Sequence, residues 1–305
     1  MTFMTPLGFY LSVVAIITIV SILGQGFILT VNIQDWCKGR KPSPVDQILV
    51  AFSLSSPGLS YSFGSYIFLK FLWPQFFLLD YTLTTVFALM LFLTLSNSWL
   101  MAWLSLYFFA KIVPFKSSYF VKLKMTIDVA VPWLILFTEV VAFSSSLPLM
   151  WSFGWTLPNN STSLHQASQA PSLQLNPMYY TFALGFSSNS AFFIVLLSSF
   201  CIVWSLCRHT SRMKKTMSSE SFSRLRTHQK AAQTVVSLLL IYVVFYVTYV
   251  LMTTVFSAND MNIYYWITVW VSQSTSLAMS LVLILGNSKL STAFHQFVVL
   301  TIRRK

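Results

Sequence analysis

The chain alternates between apolar runs of twenty or more residues and short polar segments rich in Lys and Arg. At 1.5 Å of rise per residue, about 20 apolar residues carry a helix across the hydrocarbon core of a bilayer. The pattern predicts seven such helices, near residues 7–33, 47–70, 80–110, 125–150, 178–207, 231–256 and 263–286. The second is the least regular, because Pro57, Gly58 and a Ser-rich face interrupt its apolar pattern. Inside a bundle, neighbouring helices satisfy such a break. The first run begins near Leu7 and shows no small-residue cleavage site, so it is expected to stay as a span and not to be removed as a signal peptide. The predicted fold is all-α, a seven-helix transmembrane bundle forming one domain over residues 1–305.

Composition removes the soluble alternative. The chain is 56% hydrophobic and 9% charged, with a mean hydropathy of +0.70, against about 25% charged residues in an average soluble domain. The net charge of +12 would suit nucleic acid only if it gathered on one water-exposed face. Instead it falls between the apolar runs, where it sets topology. Lys38, Arg40 and Lys41 follow the first span, and Lys111, Lys116, Lys122 and Lys124 follow the third. Arg208, Arg212, Lys214, Lys215, Arg224, Arg226 and Lys230 lie between the fifth and sixth, and Lys289, Arg303, Arg304 and Lys305 close the chain. These are one side, the cytoplasmic one by the positive-inside bias. Only Lys70 falls opposite, where its long stem can snorkel. Seven spans then put the N-terminus outside and the C-terminus in the cytoplasm, as in a multi-pass plasma-membrane protein.

The remaining chemistry is sparse. Cys37, Cys201 and Cys207 lie beside or within the basic segments, where thiols stay reduced, and no disulfide is expected. His165, His209, His228 and His295 are scattered, so neither a metal site nor a cofactor is expected. The longest outer connection, roughly 151–177, holds Asn159-Asn160-Ser161-Thr162, two overlapping glycosylation sequons. Asn159 or Asn160 is expected to be glycosylated.

Two signatures of rhodopsin-like receptors are absent. The third span ends in SLYFFAKIVPF (105–115), without an Asp-Arg-Tyr triplet, and the seventh in LVLILGNSKL (281–290), without Asn-Pro-x-x-Tyr. Those replacements resemble the bitter taste (type 2) receptor family, as does NIQDWCKGRKPSPVDQIL (32–49) across the first basic loop. SLCRHTSRMKK (205–215) and HQKAAQTVVSLLLIY (228–242) agree as well. Five long segments in the right order resemble the family over nearly the whole chain. The resemblance implies a G-protein-coupled receptor without catalytic chemistry, which binds small bitter compounds and activates a gustducin-like inhibitory G protein. Departures mark a divergent member: Gln25 stands where the family commonly has Asn, and Ser56 where it has an Arg that ties helices together. Ser55, Gln25 or Asn287 is expected to take over part of that role. Met279 replaces a common His, and Thr94-Leu95 a common Asn-His.

Two groups of site residues follow. Motif position and charge at helix ends select Lys111, Arg208, His209, His228, Lys230 and Lys289 as G-protein or switch residues, with Tyr107 and Tyr242 inside the lower bundle. Each has a plainer reading, as a topology-setting charge, a solvated helix start or a core tyrosine. For the ligand, physics favours an aromatic-lined cavity with a few polar groups in the outer half of the bundle. Spacings of three and four put Tyr246, Tyr249 and Thr253 on one face of the sixth span, and Trp266, Trp270 and Gln273 on one face of the seventh. Met90 and Thr94 match the family's pocket, and Asn189 and Ser187 join from the fifth span. For Trp266, an interfacial belt touching lipid is the alternative. Gln273 and Thr94 should turn inward, since a polar side chain facing lipid is costly.

Glu139, deep in the fourth span, needs a partner, and Lys70 is the one basic residue of the outer half. Protonation or a position nearer the interface would serve equally. Asp128 is expected to pair with Lys124, four residues earlier. A pocket with little charge favours neutral or weakly basic ligands. The chief competing class is a vomeronasal type 1-like pheromone receptor, which the first-loop and last-span motifs disfavour. A small membrane transporter would show paired repeats and charged midplane residues, and no repeat is evident.

Overall fold

The computed structural model describes residues 4–73, 75, 80–113, 118–156, 172–175, 188–214, 221–256 and 263–303. Seven long helices dominate: α1 (Met4–Cys37), α2 (Pro44–Leu72), α3 (Asp80–Ile112), α4 (Ser118–Ser146), then, after a single turn α5 (Leu149–Ser152), α6 (Asn189–Lys214), α7 (Ser221–Phe256) and α8 (Ile263–Gly286). An eighth long element, α9 (Ser288–Arg303), follows α8 after one residue. Helices are what such a sequence must form, because a bilayer offers no water to backbone N–H and C=O groups.

Two features differ from the sequence expectation. The loop beyond α4 contains a two-stranded antiparallel ribbon, β1 (Phe153–Thr156) with β2 (Ser172–Leu175), in which Phe153 opposes Leu175 and Thr156 opposes Ser172. The predicted tail is a continuous helix, α9. Among the described residues five helices are long and apolar enough to cross a membrane: those at Leu7–Cys37, Thr82–Ile112, Lys124–Trp151, Gln233–Leu251 and Ile263–Gly286. The second and fifth predicted spans fall short of that standard. In α6 the described apolar stretch is limited to Asn189–Ser205. In α2 the cause is serine: Ser53, Ser55, Ser56, Ser60 and Ser62 are all buried. Their cost to hydropathy is real, but they face protein.

The helices close on one another. α1 packs against α2 and α8, α7 against α6 and α8, and α3 against α2, α4 and α6. α3 is the axis of the bundle: 61% of its most apolar window is buried, against 17–39% in the other four candidate spans. The surface is far more apolar than that of a soluble protein, and polar side chains sit inside beside the apolar core. Large apolar side chains such as Val129, Trp133 and Phe137 on α4, or Phe193, Leu197 and Phe200 on α6, point outward, while Ser21, Gln25, Thr94, Ser96, Asn97 and Gln273 are buried. With lipid as solvent, burial of apolar surface drives little, and small or polar residues make the helix contacts.

Local chemistry sets the ends. Gly39, at φ +77°, terminates α1, its N–H returning to the Trp36 carbonyl at 2.9 Å. A capping box starts α2: Ser43 Oγ accepts from the Asp46 N–H at 3.2 Å, and Asp46 Oδ2 from the Ser43 N–H at 3.3 Å. Asn287 Oδ1 accepts the Lys289 N–H at 3.0 Å and so caps α9. These three devices bring Asp35, Asp46 and Lys289 to one end of the bundle, called here the basic end.

Candidate functional site

At the end of the bundle remote from the basic loops, α1, α2, α3 and α8 share one aromatic cluster. Leu11, Val14, Phe63, Tyr66, Ile67, Tyr265, Trp266 and Val269 form its buried centre, with Met90 and Trp270 packed against it. Trp266 is 5% exposed and stacks on Tyr10 at 4.9 Å between ring centroids. It also meets Phe71 at 5.3 Å. It therefore sits inside the bundle, away from the lipid belt allowed as its alternative. Trp270 lies 5.4 Å from Tyr10 and 6.2 Å from Phe9. Both tryptophans thus turn toward α1. The ammonium of Lys70 is 5.6 Å from the Tyr265 ring centroid and 5.9 Å from that of Tyr66, a cation–π arrangement at the rim.

A second aromatic wall stands between α6 and α7. Tyr246 stacks on Phe192 at 4.1 Å and an interplanar angle of 16°, Tyr242 lies 6.2 Å from the same ring, and Tyr249 stacks on Phe245. Thr94 on α3 is buried, and Asn189 is half-buried at the first turn of α6. The predicted pocket residues thus divide into two walls: Met90, Trp266 and Trp270 on the α1 side, Tyr246 and Tyr249 on the α6 side, with α3 packed against both α2 and α6. Ser187, Asn159 and Asn160 lie outside the described residues, as do the side chains of Thr253, His209, His228 and Lys230.

Polar ties run through the middle. Gln273 Nε2 donates to Thr18 Oγ1 at 3.3 Å and to the Ser60 carbonyl at 3.2 Å, joining α8 to α1 and α2. Lower down, Ser276 gathers Gln25, whose Nε2 donates to its carbonyl at 3.3 Å, and Ser56, whose hydroxyl lies 2.8 Å from its own. A polar tie between α1, α2 and α8 thus passes through Gln25, Ser56 and Ser276, and of the three residues expected to take over part of the missing Arg's role only Gln25 belongs to it. Among the described residues Ser55 bonds only the Phe52 carbonyl of its own helix, and Asn287 is engaged as the cap of α9. Ser105 bridges to Ser198 and Ser199 at 2.6 and 3.0 Å, holding α3 to α6.

At the basic end Lys289 Nζ reaches Asn32 Oδ1 at 2.8 Å, Asp35 Oδ2 at 2.9 Å and Asp46 Oδ1 at 3.4 Å. One ammonium therefore joins the start of α9 to the last turn of α1 and the first turn of α2. Lys111 forms the second centre: its Nζ is 2.8 Å from Asp128 Oδ2, and the Tyr107 hydroxyl donates to Asp128 Oδ1 at 3.2 Å. This corrects the expected Asp128–Lys124 pair. Lys124 offers its backbone carbonyl to Lys111 instead, at 3.5 Å, since Asp128 faces α3 and not back along its own helix. Arg208 is exposed at the end of α6, and Tyr242 is buried in the core. The three cysteines are free and exposed.

Sequence reasoning missed Tyr10, Tyr66 and Phe71 in the outer cluster, Phe192 opposite Tyr246, and Asn32, Asp35, Asp46 and Ser276. Asp35 and Asp46 were findable, being two of only seven acidic residues and both beside the first basic loop. The aromatic partners carried no signal, because the chain holds 28 Phe and 13 Tyr.

A helical bundle with outward apolar flanks, buried polar seams and a charged end is that of a membrane-embedded protein. The family model described as Taste receptor protein (TAS2R) matches residues 3–302, and the chain belongs to that family. Curated relatives agree. Taste receptor type 2 member 140 of Rattus norvegicus is 28% identical over 285 residues, covering 90% of this chain and 88% of the relative. Member 7 of Pongo pygmaeus is 26% identical over 281 residues, covering 90% and 87%. Member 9 of Homo sapiens is 26% identical over 294 residues, covering 94% and 93%. This membership displaces the vomeronasal and transporter readings.

Proposed function

We propose that the chain is a bitter taste receptor of the plasma membrane: seven spans, N-terminus outside, basic loops and α9 in the cytoplasm. A small bitter agonist enters the end of the bundle lined by Met90, Thr94, Asn189, Tyr246, Tyr249, Trp266, Trp270 and Gln273. It shifts the bundle toward a state in which the basic end admits a gustducin-like inhibitory G protein. The observation that carries the reading is the family match from residue 3 to 302 over a bundle whose aromatic walls and basic ion-pair centres occupy opposite ends. Lys111 and Lys289 sit in those centres, each bonded to a second helix, so opening that end requires their pairs to exchange. Arg208, His209, His228 and Lys230 supply the basic lip on α6 and α7, and Tyr107 and Tyr242 hydrogen-bond differently in the two states.

The test is a screen of bitter compounds in cells expressing the chain with such a G protein, followed by Thr94→Ala, Tyr246→Ala and Trp270→Ala. The substitutions sample α3, the α6–α7 wall and the α1–α8 wall. Potency unchanged in all three removes the pocket assignment, and silence across the panel removes the bitter reading. Loss of a glycosidase-sensitive mobility shift in Asn159→Gln/Asn160→Gln would place that loop outside.

A further inference from the structure

The pocket described above leaves one intramembrane charge unused. Glu139 lies fifteen residues from Lys124, where its apolar stretch begins, and seven from Ser146, where α4 ends, so it stands roughly 22 Å and 10 Å along the helix from those points. Ser96 of α3, fully buried, donates to Glu139 Oε1 at 2.7 Å. Among the described residues no Lys, Arg or His forms an ion pair with it. The sequence expectation of a Lys70 partner is not met, because the Lys70 ammonium rests among Tyr66 and Tyr265.

The surroundings say from which side a counter-charge would come. Leu136, Val140 and Phe143, at positions −3, +1 and +4 from Glu139, are 55%, 55% and 54% exposed on the outer flank of α4. Glu139 itself is half-buried, so it stands at the lipid-facing edge of the α3–α4 seam. That seam is aromatic. Phe92 meets Phe143 edge-on at 6.1 Å, Trp99 and Trp103 lie 5.7 Å apart, and the Trp103 indole N–H is taken by Thr138 at 2.7 Å. The Trp99 indole N–H, one turn along α3 from Ser96, is buried with no hydrogen-bond partner among the described residues. A carboxylate in hydrocarbon is costly unless paired, and rings beside it favour a cation.

We infer that Glu139 and the α3–α4 seam form a second binding site, approached from the bilayer, for lipophilic ammonium compounds. The inference rests on the reading of the chain as a receptor for small molecules and names one ligand class for it. An alkyl or aryl tail dissolves in lipid and lies on Leu136, Val140 and Phe143, while the protonated amine reaches the carboxylate. The site is distinct from the aromatic cluster of α1, α2 and α8.

The experiment uses the full chain purified into phosphatidylcholine nanodiscs. It is titrated with 4-phenylbutylamine, with uncharged 4-phenylbutanol as control, and followed by thermal melting. The amine is expected to raise the melting temperature saturably, and Glu139→Gln, which keeps the Ser96 hydrogen bond, to weaken it about tenfold or more. The alcohol should act alike on both proteins. Ser96→Ala breaks the helix tie but keeps the carboxylate, and should bind the amine within about threefold of the unaltered chain. If the Gln variant does not assemble, Glu139→Asp replaces it, with weaker amine binding expected and the alcohol unaffected. No saturable amine effect, equal amine affinity in the Gln variant, or a loss in Ser96→Ala matching that of Glu139→Gln overturns the site. The readout needs no G protein. A chain silent to bitter compounds in cells but binding the amine through Glu139 defeats the signalling proposal alone, and a signalling chain without the amine effect defeats this one alone.

Discussion

Gly286 closes α8 against α7, and a methyl group added there has no room. A Cβ built on it would lie 2.6 Å from Thr234 Oγ1 and 3.0 Å from Thr234 Cβ, and closer still to Cγ2. Rotating Thr234 about χ1 exchanges its γ substituents without clearing both, and Cβ does not move at all. The helices must therefore separate. Prising the α7–α8 contact apart to admit a methyl costs about 1–3 kcal/mol, whereas the propensity gain of Ala stays below the roughly 1 kcal/mol of a helix interior, since Gly286 is the exposed last residue of α8. Gly286→Ala is thus expected to lose roughly 1 kcal/mol net, or about 2–4 °C in melting temperature for a chain of this size. Because propensity alone would raise stability, the sign isolates the contact. Thr234→Ala in the same chain removes both γ groups and should recover most of the loss. Thermal melting of the purified single and double variants is the assay. An unchanged or raised midpoint for Gly286→Ala, or no recovery in the double variant, would refute the close α7–α8 approach.

Three further predictions concern the ties between helices. Lys289→Met leaves Asn32, Asp35 and Asp46 without their common ammonium, so amide exchange over the first turn of α9 should accelerate; identical exchange would mean that Asn287 capping alone holds that helix. A double-mutant cycle of Tyr10→Leu and Trp266→Leu should return a coupling of about 0.5–1.5 kcal/mol from the 4.9 Å stack, and a value near zero would dissolve the pairing of α1 with α8. Lys111 and Asp128 are 30% and 44% exposed, so Lys111→Met should lower stability by less than about 1 kcal/mol, with the difference shrinking as salt rises. A large, salt-independent loss would show the pair to be shielded from water.

Much of the architecture was legible because the bilayer imposes a one-dimensional rule. An apolar run of sufficient length must become a helix, and the ends of α1, α2, α3 and α8 lie within a few residues of the runs read that way, whereas α4 and α7 begin seven and ten residues earlier, in polar segments outside the apolar run. The family was legible too, since long motifs at helix ends are local in sequence. What failed was pairing. Asp128 invited a partner four residues earlier on its own helix, the only kind of neighbour a sequence displays, and found Lys111 on α3. Trp266 and Trp270 were rightly grouped on one face, but that face turns toward Tyr10 of α1 rather than toward Tyr246, because α1 closes against α8. The helix expected at 47–70 is there as α2, yet its hydropathy falls short of the other spans, because serines count as if exposed to lipid and the bundle buries them. By itself the sequence determined which segments are helical, which ends carry the positive charge and which family the motifs resemble, all properties of contiguous residues in a fixed solvent. Only the tertiary structure decided that Gln25 and Ser56 meet on Ser276, that Lys289 joins three helices, and that Glu139 stands at a lipid-facing seam beside Ser96. Those contacts join residues from 43 to 257 positions apart, and helix packing, which no local pattern encodes, brings them together.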